Sequence, residues 1–305
     1  MESRRHLPFR ILGPVEVSAS DGSAVPIAQP KKRRLLSLLL LVRGRWASTE
    51  HIRAVLWDVD PPPSAVGNIK TYVSELRQVL PEGETAGLGR IQGRHGAYRL
   101  NAAATEVDAW LFEDLARRGQ DARWNGDAAR AVDLLGDALA VWRGEPYEDL
   151  PEEVVRTEAA RLRELRAVVH EDLADALLDR GQYDRALPML RALTLQYPLR
   201  ERLWEQFLVA ASGSGHRADA LAAYRTAYDL LSQELGVEPS VELRRIHAQV
   251  LAGEPAETAA ARRVRHGAGA HLADLADLAD HADHADHEGQ GGRPWPSGAG
   301  REDGS

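Results

Sequence analysis

Three times the chain repeats one short pattern: a glycine, four intervening residues, then an alanine followed by an aliphatic residue. It occurs at Gly126 with Ala131-Val132, at Gly181 with Ala186-Leu187 and at Gly215 with Ala220-Leu221. A glycine supplies the left-handed turn that ends a helix, and an alanine lets the next helix approach closely. The last two copies lie 34 residues apart, a period at which antiparallel helix pairs stack and bury their faces against one another. Asp108 to Leu251 therefore reads as helical throughout, broken only at Gly and Pro. Gly126 to Gly181 is 55 residues, so an extra stretch intervenes, and it holds a long helix predicted around Glu153 to Arg180. Pro198 and Pro239 fall where first helical positions are expected, the place where proline is tolerated.

Ahead of this region the pattern is mixed. Phe9 to Val17 alternates apolar and polar residues and is predicted as one strand, with Asp21-Gly22 turning into a second near Val25 to Ile27. Lys31 to Arg43 is predicted as a helix whose first turn carries Lys31, Lys32, Arg33 and Arg34. Four cations there oppose the helix macrodipole, so either a phosphate backbone or plain solvation must stabilise them. Ser48 is predicted to cap a helix running to Trp57, which Asp58 to Pro63 terminates. Ser64 is predicted to cap the next one, Ser64 to Leu80. Its apolar stripe is Ala65, Ile69, Tyr72, Val73, Leu76, Val79 and Leu80. Its opposite face carries Gly67, Lys70, Thr71, Ser74, Arg77 and Gln78, groups that bond base edges and phosphates, although a merely solvated face has the same composition. Arg90 to Leu100 is predicted as a hairpin with Ile91, Tyr98 and Leu100 inward and Arg94 and His95 at its tip.

Charge follows the same division. Residues 1–100 hold 15 Lys and Arg against 9 Asp and Glu, while the whole chain carries a net charge of −8, so the basic segment sits on an acidic protein. That asymmetry points to a local polyanion site. With no cysteine in the chain, a disulfide framework and a thiolate metal site are excluded. The start MESRRHLPFR lacks an apolar signal core and Leu38 to Val42 is too short to span a bilayer, so a cytoplasmic, nucleoid-associated protein with no membrane partner is expected.

The run PLRERLWEQFLVAASGSGHRADALAAYRTAYDLLSQELGVEPSVELRRIHAQVL, with VWRGEPYEDL, QPKKRRLLSLLLL and NIKTYVSELR, resembles the Streptomyces antibiotic regulatory protein family. The strands, three helices and basic-tipped hairpin ahead of them resemble its OmpR-type winged helix-turn-helix. The resemblance spans roughly residues 9–252 and implies a mainly α fold. Residues 1–104 would be the winged helix, 105–252 an all-α, tetratricopeptide-like bacterial transcriptional activation domain, and 253–305 a disordered low-complexity tail. It further implies an activator that binds double-stranded DNA as a homodimer on tandem direct repeats near the −35 region of antibiotic-cluster promoters. It would recruit RNA polymerase through the sigma factor, with Asp58 to Pro63 contributing. The expected DNA-binding set is Lys31, Lys32, Arg33, Arg34, Lys70, Thr71, Ser74, Arg77, Gln78, Arg94 and His95. Glu75 departs from the family, where an Arg commonly follows the Ser. It would accept a hydrogen bond from a cytosine amino group and alter the operator, or else lie solvated at the helix edge.

Other chemistry is poorly supported. His281, His284 and His287 alternate with Asp280, Asp283 and Asp286, but a low-complexity tail offers no second layer of groups to orient metal ligands, so no metal site is expected. Ser212 to His216, SGSGH, has neither the sequence nor the preceding strand of a nucleophile elbow. No lysine follows Lys70, which rules out a Walker A loop. No cofactor and no enzymatic activity are expected. The alternative class is a tetratricopeptide-like interaction scaffold without productive DNA binding, and retention on random DNA with steep salt dependence separates the two.

Overall fold

The computed structural model describes residues 7–57, 60–82 and 89–256, and the His- and Asp-rich stretch of the tail lies outside them. The chain opens with a small antiparallel sheet, β1 (Phe9–Arg10), β2 (Glu16–Ser18) and β3 (Ala24–Val25), in the register Phe9 to Val17 to Val25. The single strand expected over Phe9 to Val17 is thus two. The chain reverses between them at Gly13-Pro14, where proline has no N–H for a ladder. Helix α1 (Pro30–Leu41) follows, with proline rather than lysine opening it, and Leu35 through Leu40 are buried all round. Strand β4 (Ala47–Ser48) leads into α2 (Thr49–Leu56), which Ser48 caps by accepting from the His51 N–H at 3.1 Å.

Helix α3 (Ala65–Val79) buries Ala65, Ile69, Val73 and Leu76. Two expectations fail here. Ser64 has ψ 2° rather than an extended backbone, so its hydroxyl caps nothing and accepts from the Asn68 side chain instead. Val79 is 45% exposed, since the helix ends there and its last turn leaves the core. Strands β5 (Ile91–Arg94) and β6 (Ala97–Leu100) form the expected hairpin, with β4 adding to β6. The two-residue turn His95-Gly96 has φ 27° and 76°, the positive pair that matches the twist of a tight hairpin.

A 3-10 turn at Ala104–Glu106 leads to helices α4 (Asp108–Trp124), α5 (Ala128–Ala140), α6 (Glu152–Asp179), α7 (Tyr183–Gln196), α8 (Glu201–Gly213), α9 (Arg217–Glu234) and α10 (Val241–Ala252). Neighbours in sequence pack in turn from α4 to α9, and α10 lies on α8 and α9. The repeated glycines end α4, α6 and α8. Gly126, Gly181 and Gly215 are left-handed, with φ 78°, 65° and 79°. Each turn makes the same bond pair: the glycine N–H reaches back to Arg123, Leu178 or Ser212, and the next N–H to Ala122, Leu177 or Ala211. Ala131, Ala186 and Ala220 are fully buried, which is the close approach that the pattern requires. The extra stretch before Gly181 is the 28-residue α6. Pro198 and Pro239 are not first helical residues: Pro198 lies in the turn before α8, and Pro239 precedes Ser240, whose hydroxyl caps α10. Among the described residues no helix is long and apolar enough to cross a membrane.

The helical pairs and the N-terminal sheet share one compact unit. Asp108, fully buried, accepts from the N–H groups of Ile11 at 2.8 Å and Leu12 at 3.0 Å. Tyr147 donates its N–H to the Ile11 carbonyl at 2.8 Å, and Asp149 accepts from the Val15 N–H at 2.7 Å. At the end of α1, Arg43 adopts φ 49° and reaches Glu113 and Glu158. Burial alone would raise the Glu113 carboxyl, but Arg43 and Arg161 outweigh it and hold it below its ordinary range.

Candidate nucleic-acid interface

The buried stripe of α3 dictates what faces outward. Gly67, Lys70, Thr71, Ser74, Arg77 and Gln78 are all exposed, and a methyl group at Gly67 would meet nothing within 4 Å. The helix therefore offers a shallow centre flanked by donors and acceptors, which suits a groove wall. Thr71 returns its hydroxyl to the Gly67 carbonyl at 3.2 Å, leaving the oxygen lone pairs outward. Arg77 is less free than its spacing suggests. Its Nε donates to the Ile91 carbonyl at 2.8 Å, so it braces α3 against the hairpin.

Arg94 and His95 stand exposed at the hairpin tip, as expected. The Gly96 carbonyl accepts from both the Thr49 N–H and the Thr49 hydroxyl at 2.6 Å, so the tip is fixed to the start of α2. The basic first turn of α1 is not one patch. Lys31 lies 4.2 Å over the Trp57 ring, and its Nζ is 3.4 Å from the Leu56 carbonyl. Burial, with Arg34 nearby, lowers its pKa. Lys32 pairs with Glu75, which places it beside α3. Arg33 donates to Asp149 at 2.8 Å and to the Ala28 carbonyl at 3.1 Å, so its guanidinium, among the residues expected to face DNA, is engaged within the protein. Arg34 is half-buried in the same turn. The partner these cations require is thus largely internal.

Glu75 has a partner that neither expectation included. It is half-exposed, and its carboxylate is paired with Lys32 across the α1 to α3 contact. Sequence reasoning also missed Trp46, which carries the Arg94 and Arg99 guanidiniums at 4.3 and 4.7 Å from its ring centroid. The available signal was register: Ala47 pairs with Tyr98, which sets the preceding residue opposite Arg99. The SGSGH run is the closing turn of α8, and Gly215 is its left-handed residue. No cluster of three metal-binding side chains occurs among the described residues, and the His281, His284, His287 group lies outside them.

Comparison with known proteins adds the family. Residues 107–251 match the bacterial transcriptional activator domain. The chain is 37% identical over 251 residues to the regulatory protein AfsR of Streptomyces coelicolor, covering 82% of this chain and 25% of that protein. The chain thus spans only about a quarter of the length of AfsR. It is 33% identical to the regulatory protein DnrI of Streptomyces peucetius, covering 82% of this chain and 93% of that one, and 37% identical to the transcriptional regulator RedD of Streptomyces coelicolor, covering 81% and 71%. The structure of Mycobacterium tuberculosis EmbR in complex with a low-affinity phosphopeptide superposes with a TM-score of 0.76 at 31% identity, covering 88% of this chain and 71% of that one. All four are regulatory proteins by name, RedD and EmbR being transcriptional regulators. Together, the domain match and the extent of the identity to AfsR, DnrI and RedD show that the chain belongs to the Streptomyces antibiotic regulatory protein family of transcriptional activators.

Proposed function

We propose that residues 1–104 act as a winged helix-turn-helix that binds promoter DNA in a sequence-specific way. In this reading α3 enters the major groove and the β5–β6 hairpin is the wing on the flanking backbone. The observation that carries it is the outward face of α3. Lys70, Thr71, Ser74 and Gln78 are exposed together on a helix whose other side is locked into the core, and the hairpin that carries Arg94 and His95 at its tip is held beside the same helix through Arg77.

One recognition helix reads only a few base pairs, too few to single out a promoter among competing sites. Two copies on tandem direct repeats, spaced about one helical turn or a multiple apart, supply the rest. The tetratricopeptide-like region at 105–252 then assembles the transcription machinery, with the RNA polymerase sigma factor as the proposed partner and antibiotic-cluster promoters as the proposed targets. The proposed place of action is the cytoplasm, at the nucleoid.

The test is selection of duplexes from a random-sequence library by the full chain, followed by footprinting. A pair of direct repeats should emerge. Inserting about 5 base pairs between them should abolish cooperativity, because it turns the second copy to the opposite face. Enrichment of no sequence, with no salt-dependent retention on DNA, would instead identify an interaction scaffold.

A further inference from the structure

We infer that Trp46 is the positioning residue of the wing, the group that holds Arg94 ready for the DNA backbone. This rests on the DNA-binding reading above. The register builds the arrangement: Gln92 pairs with Arg99 and Arg94 with Ala97, so these four share one face of the hairpin. Ala47 to Tyr98 and Ser48 to Ala97 add β4 alongside and bring Trp46 level with Arg99 on that face. The indole lies within 4.3 Å of the Arg94 guanidinium and 4.7 Å of that of Arg99. Arg99 is further tied by Nε to the Gln92 side chain at 2.8 Å. Among the described residues Arg94 has no carboxylate partner.

The type of contact matters. A carboxylate would occupy the in-plane N–H groups of a guanidinium, as Asp149 does for Arg33. An aromatic ring takes only the flat face and leaves the N–H edge free to fork onto a phosphate. Stacking on Trp46 thus orders a long side chain before DNA arrives without neutralising it. The tip cannot swing away, since Thr49 holds the Gly96 carbonyl twice and Arg77 fastens β5 to α3. The wing cation is thereby set at a fixed offset from the recognition helix.

The experiment measures affinity against salt concentration for the full chain on a fluorescent duplex that the parent protein selects from a random library. The variants are W46L, W46F, R94A, W46L/R94A and, as an independent probe of α3, K70A. Trp46→Leu should weaken binding by about 2- to 5-fold, the loss expected for an exposed cation–π contact. R94A should weaken it at least as much and lower the salt slope by about 0.9, one phosphate contact. The double variant should bind no worse than R94A, and W46F should restore most of the affinity. Melting curves show which variants keep the fold, with W46F as the conservative one should W46L melt early. Parent-like binding by W46L, or a W46L loss that persists in full on the R94A background, overturns the inference while a K70A defect leaves the DNA reading intact. If the parent enriches no duplex, or neither K70A nor R94A alters binding, the DNA reading itself fails and this inference with it.

Discussion

Arg90, at the base of the hairpin, is the side chain whose removal should cost the N-terminal region most. All five of its N–H groups have acceptors: Nε donates to the Pro81 carbonyl at 2.7 Å, Nη1 to the Asn101 carbonyl at 3.1 Å and Glu106 at 2.8 Å, and Nη2 to the Glu82 carbonyl at 2.8 Å and Glu106 at 2.7 Å. Its face covers the Phe9 ring at 5.1 Å. The pair is nearly dry, with side chains 4% and 8% exposed. Arg90→Met keeps the apolar stem but leaves a buried carboxylate and three carbonyls short of donors, a loss of about 3–5 kcal/mol. At about 2–4 °C per kcal/mol for a domain of this size, the melting temperature should fall by about 6–20 °C. Arg90→Lys, with three donors, should fall between. Urea unfolding of the full chain followed by circular dichroism reads the difference. Adding Glu106→Leu to Arg90→Met should recover part of it, because the unpaired charge is then gone. A loss below about 1 kcal/mol for Arg90→Met would refute the assignment.

Three further outcomes are expected. Glu75→Gln releases Lys32, so it should tighten binding to all duplexes alike without moving the preferred sequence; a shifted site in a selection experiment would restore a base-reading role for Glu75. Two helical glycines should respond to alanine with opposite signs. At Gly136 nothing lies within 4 Å of an added Cβ and the gain should be about 0.5–1 kcal/mol, whereas at Gly119 the Cβ would fall 2.6 Å from Leu135 and the loss should be about 1–3 kcal/mol, both read by urea unfolding. Burial raises Asp108 from 3.8 to about 6, against the lowering effect of its bonds from Ile11 and Leu12. Between those values the native state holds more protons than the unfolded chain, so the stability this group contributes is present at low pH and is lost as pH rises through about 6. The stability of the parent minus that of Asp108→Asn should therefore fall by about 2 kcal/mol from pH 4 to pH 7, and a flat difference would contradict the buried carboxyl.

What could be read from the sequence was local. The three Gly and Ala patterns, the two faces of α3 and the hairpin with Arg94 and His95 at its tip are each decided within a few residues, and the structure repeats them. Cap residues show where local reading ends. Ser48 and Ser64 both precede helices, yet only Ser48 has the extended backbone, ψ 149° against 2°, that aims its oxygen at the first turn. Alternation over Phe9 to Val17 was real, but two short strands on either side of Pro14 satisfy it as well as one long strand. The charges were the least legible. Arg33 finds Asp149 across 116 positions, and Lys32 finds Glu75 only because α1 and α3 touch. The acidity of the helical region is partly internal as well: Glu171, Asp172 and Asp175 are buried and ligated by Arg123, Arg200 and Arg202. Composition counts such groups as surface charge, and only their packing reveals otherwise.

The motif VWRGEPYEDL, one of the carriers of the family resemblance, acquires a physical reason from where it lies. Its residues run along the segment from Ile11 to Val15 that joins β1 to β2. Arg143 and Gly144 donate their N–H groups to the Leu12 carbonyl at 2.9 and 3.0 Å, Tyr147 to the Ile11 carbonyl, and Asp149 accepts from Val15 while binding Arg33 of α1. A sheet with strands of two or three residues cannot satisfy its own edge, and Phe9, Ile11 and Leu12 are fully buried. The loop between α5 and α6 supplies the missing partners, and Asp108 at the start of α4 supplies the rest. The N-terminal sheet is therefore completed by the helical region, and α1, gripped at Arg33 by one ion pair and at Arg43 by two, cannot tilt without breaking them. Because α3 also meets α1 through Lys32 and Glu75, the helix that presents Lys70 and Ser74 is tied through α1 to Asp149, more than seventy positions further along the chain.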